Sequence, residues 1–449
     1  MPKKAIQLSD HFTYSRLLRF VLPCIGTMLF TSIYGIVDGL CVSNFVGKTA
    51  FAAVNLIMPL PMLLGTIGFM LGTGGSAIVG ITLGEGDQKK ADRYFSMFMW
   101  AALVSAGVLA VLGIVFLRPT AVLLGAKGEL LDYAVRYGRI LMLALPGFAL
   151  QNMFQSFFVT AEKPHLGFWF TVGAGCTNMM LDVLMVGIWG WGVEGAAIAT
   201  FISQLVGGVL PVFYFIDRSN SSRLHLCKTS FYSKVLRDAC INGSSELMTN
   251  LSMSLVNILY NYQLLRLAGE NGVAAYGVIM YAAFLFVAVF VGYAVGSAPI
   301  VSFHYGARNH AEVHNLYRKS LRLIAVVAVT LTLASMFIIP CVARIFVGYD
   351  AELLALTSRA FRLYALSFLI MGFNVYASSF FTALGDGVTS ALISFLRTLA
   401  FQVIAILLLP MLLGIDGIWL AVTAAELAAL AVSAAMLLTK DKVFHYRKA

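Results

Sequence analysis

The sequence predicts an all-α integral membrane protein: twelve transmembrane helices in two six-helix lobes related by a parallel internal repeat. Three observations predict it. Of 449 residues, 60% are hydrophobic and 12% charged, against about 45–50% and about 25% in soluble chains. The apolar residues gather into twelve runs, each long enough to supply the roughly 20 residues that cross a bilayer. A single shift of 222 residues lays the first half on the second. So little polar surface argues against a soluble enzyme, a nucleic-acid-binding domain or a disordered chain, despite the net charge of +10.

In order, the runs are 17–45, 52–81, 95–117, 133–160, 166–188, 194–216, 235–267, 274–303, 319–346, 357–383, 389–413 and 418–439. The first 16 residues are polar and the run after them is too long for a signal-peptide core, so it is expected to stay as the first span. The longest polar connection, Asp217 to Ser233, separates an N-terminal lobe (1–216) from a C-terminal lobe (234–449). With the N-terminus inside, the inner segments hold 21 Lys and Arg and the outer segments nine. That bias supports both termini in the cytoplasm. The six Cys are scattered without a CxxC pair and read as small apolar residues rather than disulfide or metal ligands.

Under the shift, Gly47 falls on Gly269, Met58 on Met280, Gly74 on Gly296 and Gly84 on Gly306. Further along, Gly192-Val193-Glu194-Gly195 falls on Gly414-Ile415-Asp416-Gly417, while Arg136 and Arg139 match Arg359 and Arg362 one residue out of step. Apolar segments resemble one another by chance. Agreement of glycines, charges and turns under one shift is a stronger sign. Six spans per half put both halves in the same orientation, about an axis along the membrane normal with a shared cleft.

Ionisable and amide side chains are costly in lipid and should face the protein interior. In span 1, Phe30, Tyr34 and Asp38 stand four apart on one helical face, with Gly35 and Gly39 beside them and Pro23 able to bend the helix. Asp38 reads either as a carboxylate that binds a proton or sodium, or as one fixed by hydrogen bonds. Asn178 and Asp182 in span 5 share a face in the same way and carry the same two readings. Span 7 has a polar stripe of Glu246, Asn250, Ser254, Asn257 and Asn261, which suits a substrate path or packing against a neighbour. Gln151, Asn152 and Gln155 in span 4, with Tyr281, Phe284, Phe290, Asn374, Tyr376 and Phe380 in spans 8 and 10, give the amide and aromatic mixture that suits flat organic cations. Phe is abundant throughout, so core packing is the expected role of each aromatic taken singly. Arg397 and Glu426 are the remaining deep charges, and a structural role is expected for both. Glu426 matches Gln204 under the shift. His310 and His314 are spaced for a metal but read as a solvated loop. The sequence contains no nucleotide-binding P-loop and none of the hydrolase motifs HExxH or GxSxG.

The run YGIVDGLCVSNFVG from Tyr34, the loop GITLGEGDQKKADRYF and the stretch NMMLDVLMVGIWGWGVEGAAIATFISQ resemble the MATE (multidrug and toxic compound extrusion) transporters over essentially the whole chain. NGSSELMTNLSMSLVNILYN is similar to their Firmicute multidrug-pump branch. The resemblance implies an alternating-access antiporter, not an enzyme, that exports cationic amphipathic drugs or dyes in exchange for H⁺ or Na⁺. It implies a cation-coupling site of Asp38, Asn178 and Asp182. Tyr34, Gln151, Gln155, Glu246, Asn257, Asn261, Tyr281, Asn374 and Phe380 are the expected substrate-cavity residues. One branch uses an acidic residue in helix 10; span 10 here has Asn374 and no carboxylate. No cofactor, resident metal or nucleic acid is expected, and the chain should work as a monomer among membrane lipids. The alternative is a lipid-linked precursor flippase of the same superfamily, for which the paired arginines 136, 139, 359 and 362 speak.

Overall fold

An apolar chain in lipid can satisfy its backbone N–H and C=O groups only within helices or closed barrels. Residues 6–45, 48–348 and 350–447, which the computed structural model describes, take the first solution, with no strand among them. The first lobe contains α1 (Tyr14–Phe45), α2 (Lys48–Ile57), α3 (Pro59–Gly84), α4 (Gln88–Leu123), α5 (Glu129–Thr160), α6 (Pro164–Asp182), a π turn (Val183–Ile188) and α7 (Gly192–Ile216). The second contains α8 (Ser233–Gly306), α9 (His310–Val347), α10 (Ala351–Ala365), α11 (Phe368–Ala383), α12 (Gly387–Phe395), a second π turn (Leu396–Ala400), α13 (Phe401–Leu413) and α14 (Ile415–Thr439), with the short α15 (Asp441–Phe444) after it.

Ten of these helices are long and apolar enough to span, and the bent pair α10–α11 makes eleven. The twelfth comes from α8, whose 74 residues include one non-helical position, Gly269, at φ 60° and ψ −150°. That backbone conformation is open to glycine and strained for other residues. The chain folds back there with no loop, where the sequence suggests a short connection. Two further breaks differ from the expected spans. The second begins as the separate α2 and restarts at Pro59 and Pro61, which cannot donate backbone hydrogen bonds. The tenth bends by 46° between α10 and α11; nothing in the residues around Ser367 explains that bend. Pro23 leaves α1 unbroken.

The repeat recurs in backbone geometry. Gly86 (φ 88°) and Arg308 (φ 55°) are 222 residues apart and close the same left-handed turn. The next residues, Asp87 and Asn309, each cap a helix by accepting from the amide three residues on, at 3.0 and 3.1 Å. Gly192 and Gly414 share φ values of 58° and 59°. Two residues on from these glycines, Glu194 pairs with Arg136 and Asp416 with Arg359, so the repeated charges form repeated ion pairs.

The lobes meet where α3 crosses α8. A Cβ on Gly84 would strike the Phe303 carbonyl oxygen, and one on Gly306 would strike that of Ile81. The shift of 222 exchanges the two contacts, which therefore lie about the pseudo-twofold axis. Gly74 and Gly243 are crowded in the same way by Ala239 and Met70 backbone.

Near this crossing, the face that carries both chain ends is tied by a strap. The Leu8 amide donates to Glu162 Oε1 at 2.8 Å, and Arg223 Nη1 reaches the same oxygen at 2.5 Å. The Phe12 amide donates to Glu312 Oε1 at 2.9 Å, while His11 Nδ1 lies 2.7 Å from Glu312 Oε2. Asn315 and Lys319 donate to the Phe12 carbonyl at 3.1 and 2.6 Å. Residues 8–12 thus bond to both lobes. On the same face, Lys440 Nζ lies 2.8 Å from Asp386 Oδ2, joining the end of α14 to the start of α12. Burial opposes ionisation of Asp386, but Lys440 and the Thr389 hydroxyl and amide outweigh it and hold the carboxyl below its ordinary value. A depressed folded-state pKa contributes stability above the unfolded pKa, about 3.9, and that contribution fades as pH falls through the folded value. Asp386→Asn is therefore expected to lower the thermal midpoint at neutral pH. In paired melts from pH 7 downward, the gap from wild type should close in the acid range.

Candidate functional site

The polar residues buried in the bundle line three neighbouring cavities. In the first lobe a cavity of about 360 Å3 lies among α1, α3, α5, α6 and α7, with Asn250 of α8 at its edge. Tyr34, Gln151, Gln155 and Asn178 line it together with Thr200 and Gln204. Drug-sized ligands occupy pockets of about 300–1,000 Å3, so this one is large enough. Asn178 is 1% exposed, and its Nδ2 donates to Thr200 Oγ1 at 3.4 Å. Its Oδ1 has no hydrogen-bond partner among the described residues. Asp182 is also 1% exposed and stands one helical turn further along α6, where the π turn begins. π turns are rare and concentrate at functional positions.

The backbone places Asp38 one turn beyond Tyr34 on α1, which packs on α6: a Cβ on Gly175 would meet Phe30 and Tyr34. The Asp38 side chain itself lies outside the described residues.

The second lobe has the counterpart, a cavity of about 120 Å3 lined by Asn257, Tyr260, Tyr276, Met280, Phe284, Arg397 and Glu426 among others. The shift of 222 carries Thr31, Met58, Met62 and Gln204 of the first cavity onto Met253, Met280, Phe284 and Glu426 of the second. The two cavities are copies of one pocket that have diverged. In the second, the Tyr276 hydroxyl donates to Asn257 Oδ1 at 2.7 Å and its ring stacks on Tyr260 at 4.9 Å. Asn374 Nδ2 donates to Glu426 Oε2 at 2.7 Å, and Arg397 Nε stands 3.6 Å from Glu426 Oε1. Asn374 is thus a support for Glu426 and sits behind the lining. Arg397 lies on the π turn of span 11 as Asp182 adjoins that of span 5; each lobe interrupts its fifth span beside an ionisable residue.

Between the lobes lies a third, smaller chamber of about 100 Å3, lined by hydroxyls and by Glu246 and Arg397. The span-7 stripe is therefore divided: Glu246 faces the chamber, Asn250 the first cavity and Asn257 the second. Asn261 and Tyr281 are exposed and line none of the three. Phe380 is 1% exposed and packs against Tyr317, Tyr376 and Tyr446 in an aromatic cluster, away from the cavities. The aromatic pattern in span 10 marked core, because helical spacing alone does not tell a cavity wall from a packed face. His314 Nδ1 lies 3.0 Å from the Tyr446 carbonyl oxygen, which ties α9 to the C-terminal segment. No metal-holding cluster of three His, Cys, Asp or Glu occurs among the described residues. Met58, Thr200 and Gln204 also line the first cavity, and their residue types alone do not mark them. The internal shift could have found Met58 and Gln204, since their partners sit in the second cavity.

Two repeated lobes of membrane-spanning helices, each enclosing a cavity with buried polar groups, define a two-lobed transporter architecture. The chain belongs to the MatE family, whose sequence profile matches it twice, over residues 23–184 and 247–408. Similar proteins include the multidrug export protein MepA of Staphylococcus saprophyticus, 21% identical over 436 residues (96% of this chain and 95% of that one), and MepA of Staphylococcus aureus strain MSSA476, 21% identical over 432 residues with the same coverage. Among solved structures, MATE in complex with MaL6 aligns with a TM-score of 0.92 at 22% identity, covering both chains completely. An outward-facing multidrug resistance MATE family transporter of the MOP superfamily aligns at 0.90 and 22%, again over both chains.

Proposed function

We propose that this protein is a secondary active exporter of cationic amphipathic compounds, working by alternating access in exchange for H⁺ or Na⁺. It resides in the bacterial cell membrane with both termini in the cytoplasm. The observation that carries the reading is the first-lobe cavity: drug-sized, mixed amide and aromatic in lining, with Asn178 in its wall and Asp182 buried one helical turn further along α6. A carboxylate in such a place holds either a cation or a proton. Loading it from outside lowers affinity for a cationic drug, and unloading it inside restores that affinity, so like charges competing for one cavity couple the two fluxes. Similarity to multidrug export proteins supports the substrate class. The 21-to-nine distribution of Lys and Arg supports the orientation.

The flippase alternative is not favoured. It needs a cationic cleft for phosphates, whereas Arg136 and Arg359 are exposed and paired with Glu194 and Asp416.

The test is tetraphenylphosphonium transport by the purified chain in proteoliposomes under separately imposed proton and sodium gradients. One gradient should drive uphill movement without ATP. Movement under neither removes the antiport reading.

A further inference from the structure

The chamber between the lobes has a charge balance of its own. It is lined by the hydroxyls of Thr73, Ser76, Ser156, Thr249, Ser379 and Thr382, and among the described residues its charged lining is Glu246 and Arg397. Apolar residues of the second half of α8 and of α11 complete the wall and bring no titratable group. Arg397 also lines the second-lobe cavity, where it faces Glu426. One guanidinium therefore serves two carboxylates. With both ionised the set carries one net negative charge, and one bound proton makes it neutral.

The two carboxylates are not equivalent holders of that proton. Glu426 already has two partners, with Asn374 donating to one oxygen at 2.7 Å and Arg397 beside the other at 3.6 Å. No hydrogen bond or ion pair holds the Glu246 carboxylate among the described residues, and Arg397 acts on it only electrostatically across the chamber. A neutral carboxyl there finds hydroxyls that can donate and accept. A metal cation would stand close to the guanidinium, which disfavours sodium. The chamber is the size of a few waters, about 30 Å3 each. It adjoins the first-lobe cavity: consecutive residues line the two, Gln155 and Asn250 that cavity and Ser156 and Thr249 the chamber.

We propose that Glu246 is a second proton-binding site, set in the wall between the lobes, where the coupling proton rests after leaving the first-lobe carboxylate and before reaching cytoplasmic water. This rests on the antiport reading above, in its proton-driven form. The proton binds a carboxylate oxygen of Glu246 and leaves to water; no other bond changes. Tetraphenylphosphonium has no part in this step, so its binding and its exchange should survive loss of the carboxylate while net proton-coupled flux does not.

The experiment compares wild type, Glu246→Gln and Glu246→Asp in proteoliposomes. Glu246→Gln is expected to bind tetraphenylphosphonium within about twofold of wild type and to keep its one-for-one exchange across the membrane. Proton-driven efflux should fall by about tenfold or more with a flattened pH profile, and Glu246→Asp should recover most of it. Wild-type proton-driven efflux in Glu246→Gln overturns the proposal. So does equal loss of exchange and efflux, which marks a structural or substrate-binding role. A wild-type protein that runs on sodium alone overturns it as well but leaves antiport standing, and one that runs on neither gradient overturns both readings.

Discussion

Asp182→Asn is expected to reduce ion-driven export by about 100-fold or more, the loss that follows removal of an essential proton- or cation-binding group. The carboxylate is 1% exposed and lies one helical turn beyond Asn178, which lines the first-lobe cavity, on a helix that interrupts its own hydrogen-bond ladder at the next residue. Asn has nearly the same shape and keeps one carbonyl oxygen, so the helix should still form and pack. What it lacks is a second charge state. Initial efflux rates in everted vesicles, together with the thermal midpoint of the purified protein, separate the two roles. Lost efflux with an unchanged midpoint assigns Asp182 to coupling. Preserved efflux with a lowered midpoint assigns it to packing and removes the proposed mechanism.

Replacing Gly84 and Gly306 together by Val should have the largest structural effect. Each glycine lets one helix lie on the other's backbone, and any Cβ there overlaps a carbonyl oxygen that cannot move aside as a side-chain tip would. Overpacking typically costs about 1–3 kcal/mol per site, and the pseudo-twofold arrangement makes the two substitutions push the same seam apart. The expected result is a protein that inserts in the membrane but leaves its terminal face unsealed. A cysteine placed at Thr249 in the chamber should then react with a membrane-impermeant maleimide added from that face, and export should fall by about tenfold or more, equivalent to about 1.4 kcal/mol or more. An unreactive cysteine with normal export would show that the lobes do not need this approach.

The architecture was legible because lipid leaves few choices: apolar length set the spans, and glycine and charge positions set the repeat. Gly84 and Gly306 matched in sequence for a reason now visible, since each crosses the other's helix. The division of the span-7 stripe was not legible. Helical spacing put Glu246, Asn257 and Asn261 on one face, but which cavity each meets depends on neighbours from both lobes. Phe380 and Tyr281 failed as cavity indicators for a related reason. An aromatic residue has the same periodicity whether it faces packed core, open surface or a cavity. Arg397 and Glu426 were recognisable as costly deep charges, yet their pairing and their link to Glu246 needed the fold.

The strap has a consequence for biogenesis. The bonds from His11 and Phe12 to Glu312 join residues 301 and 300 positions apart. Ribosomes add about 5–20 residues per second, so the first segment made waits roughly 15–60 s for its partner. Eight membrane crossings have left the ribosome by then. The seal on that face therefore cannot form until the second lobe is under way, and a first lobe made alone lacks the Glu312 side of it.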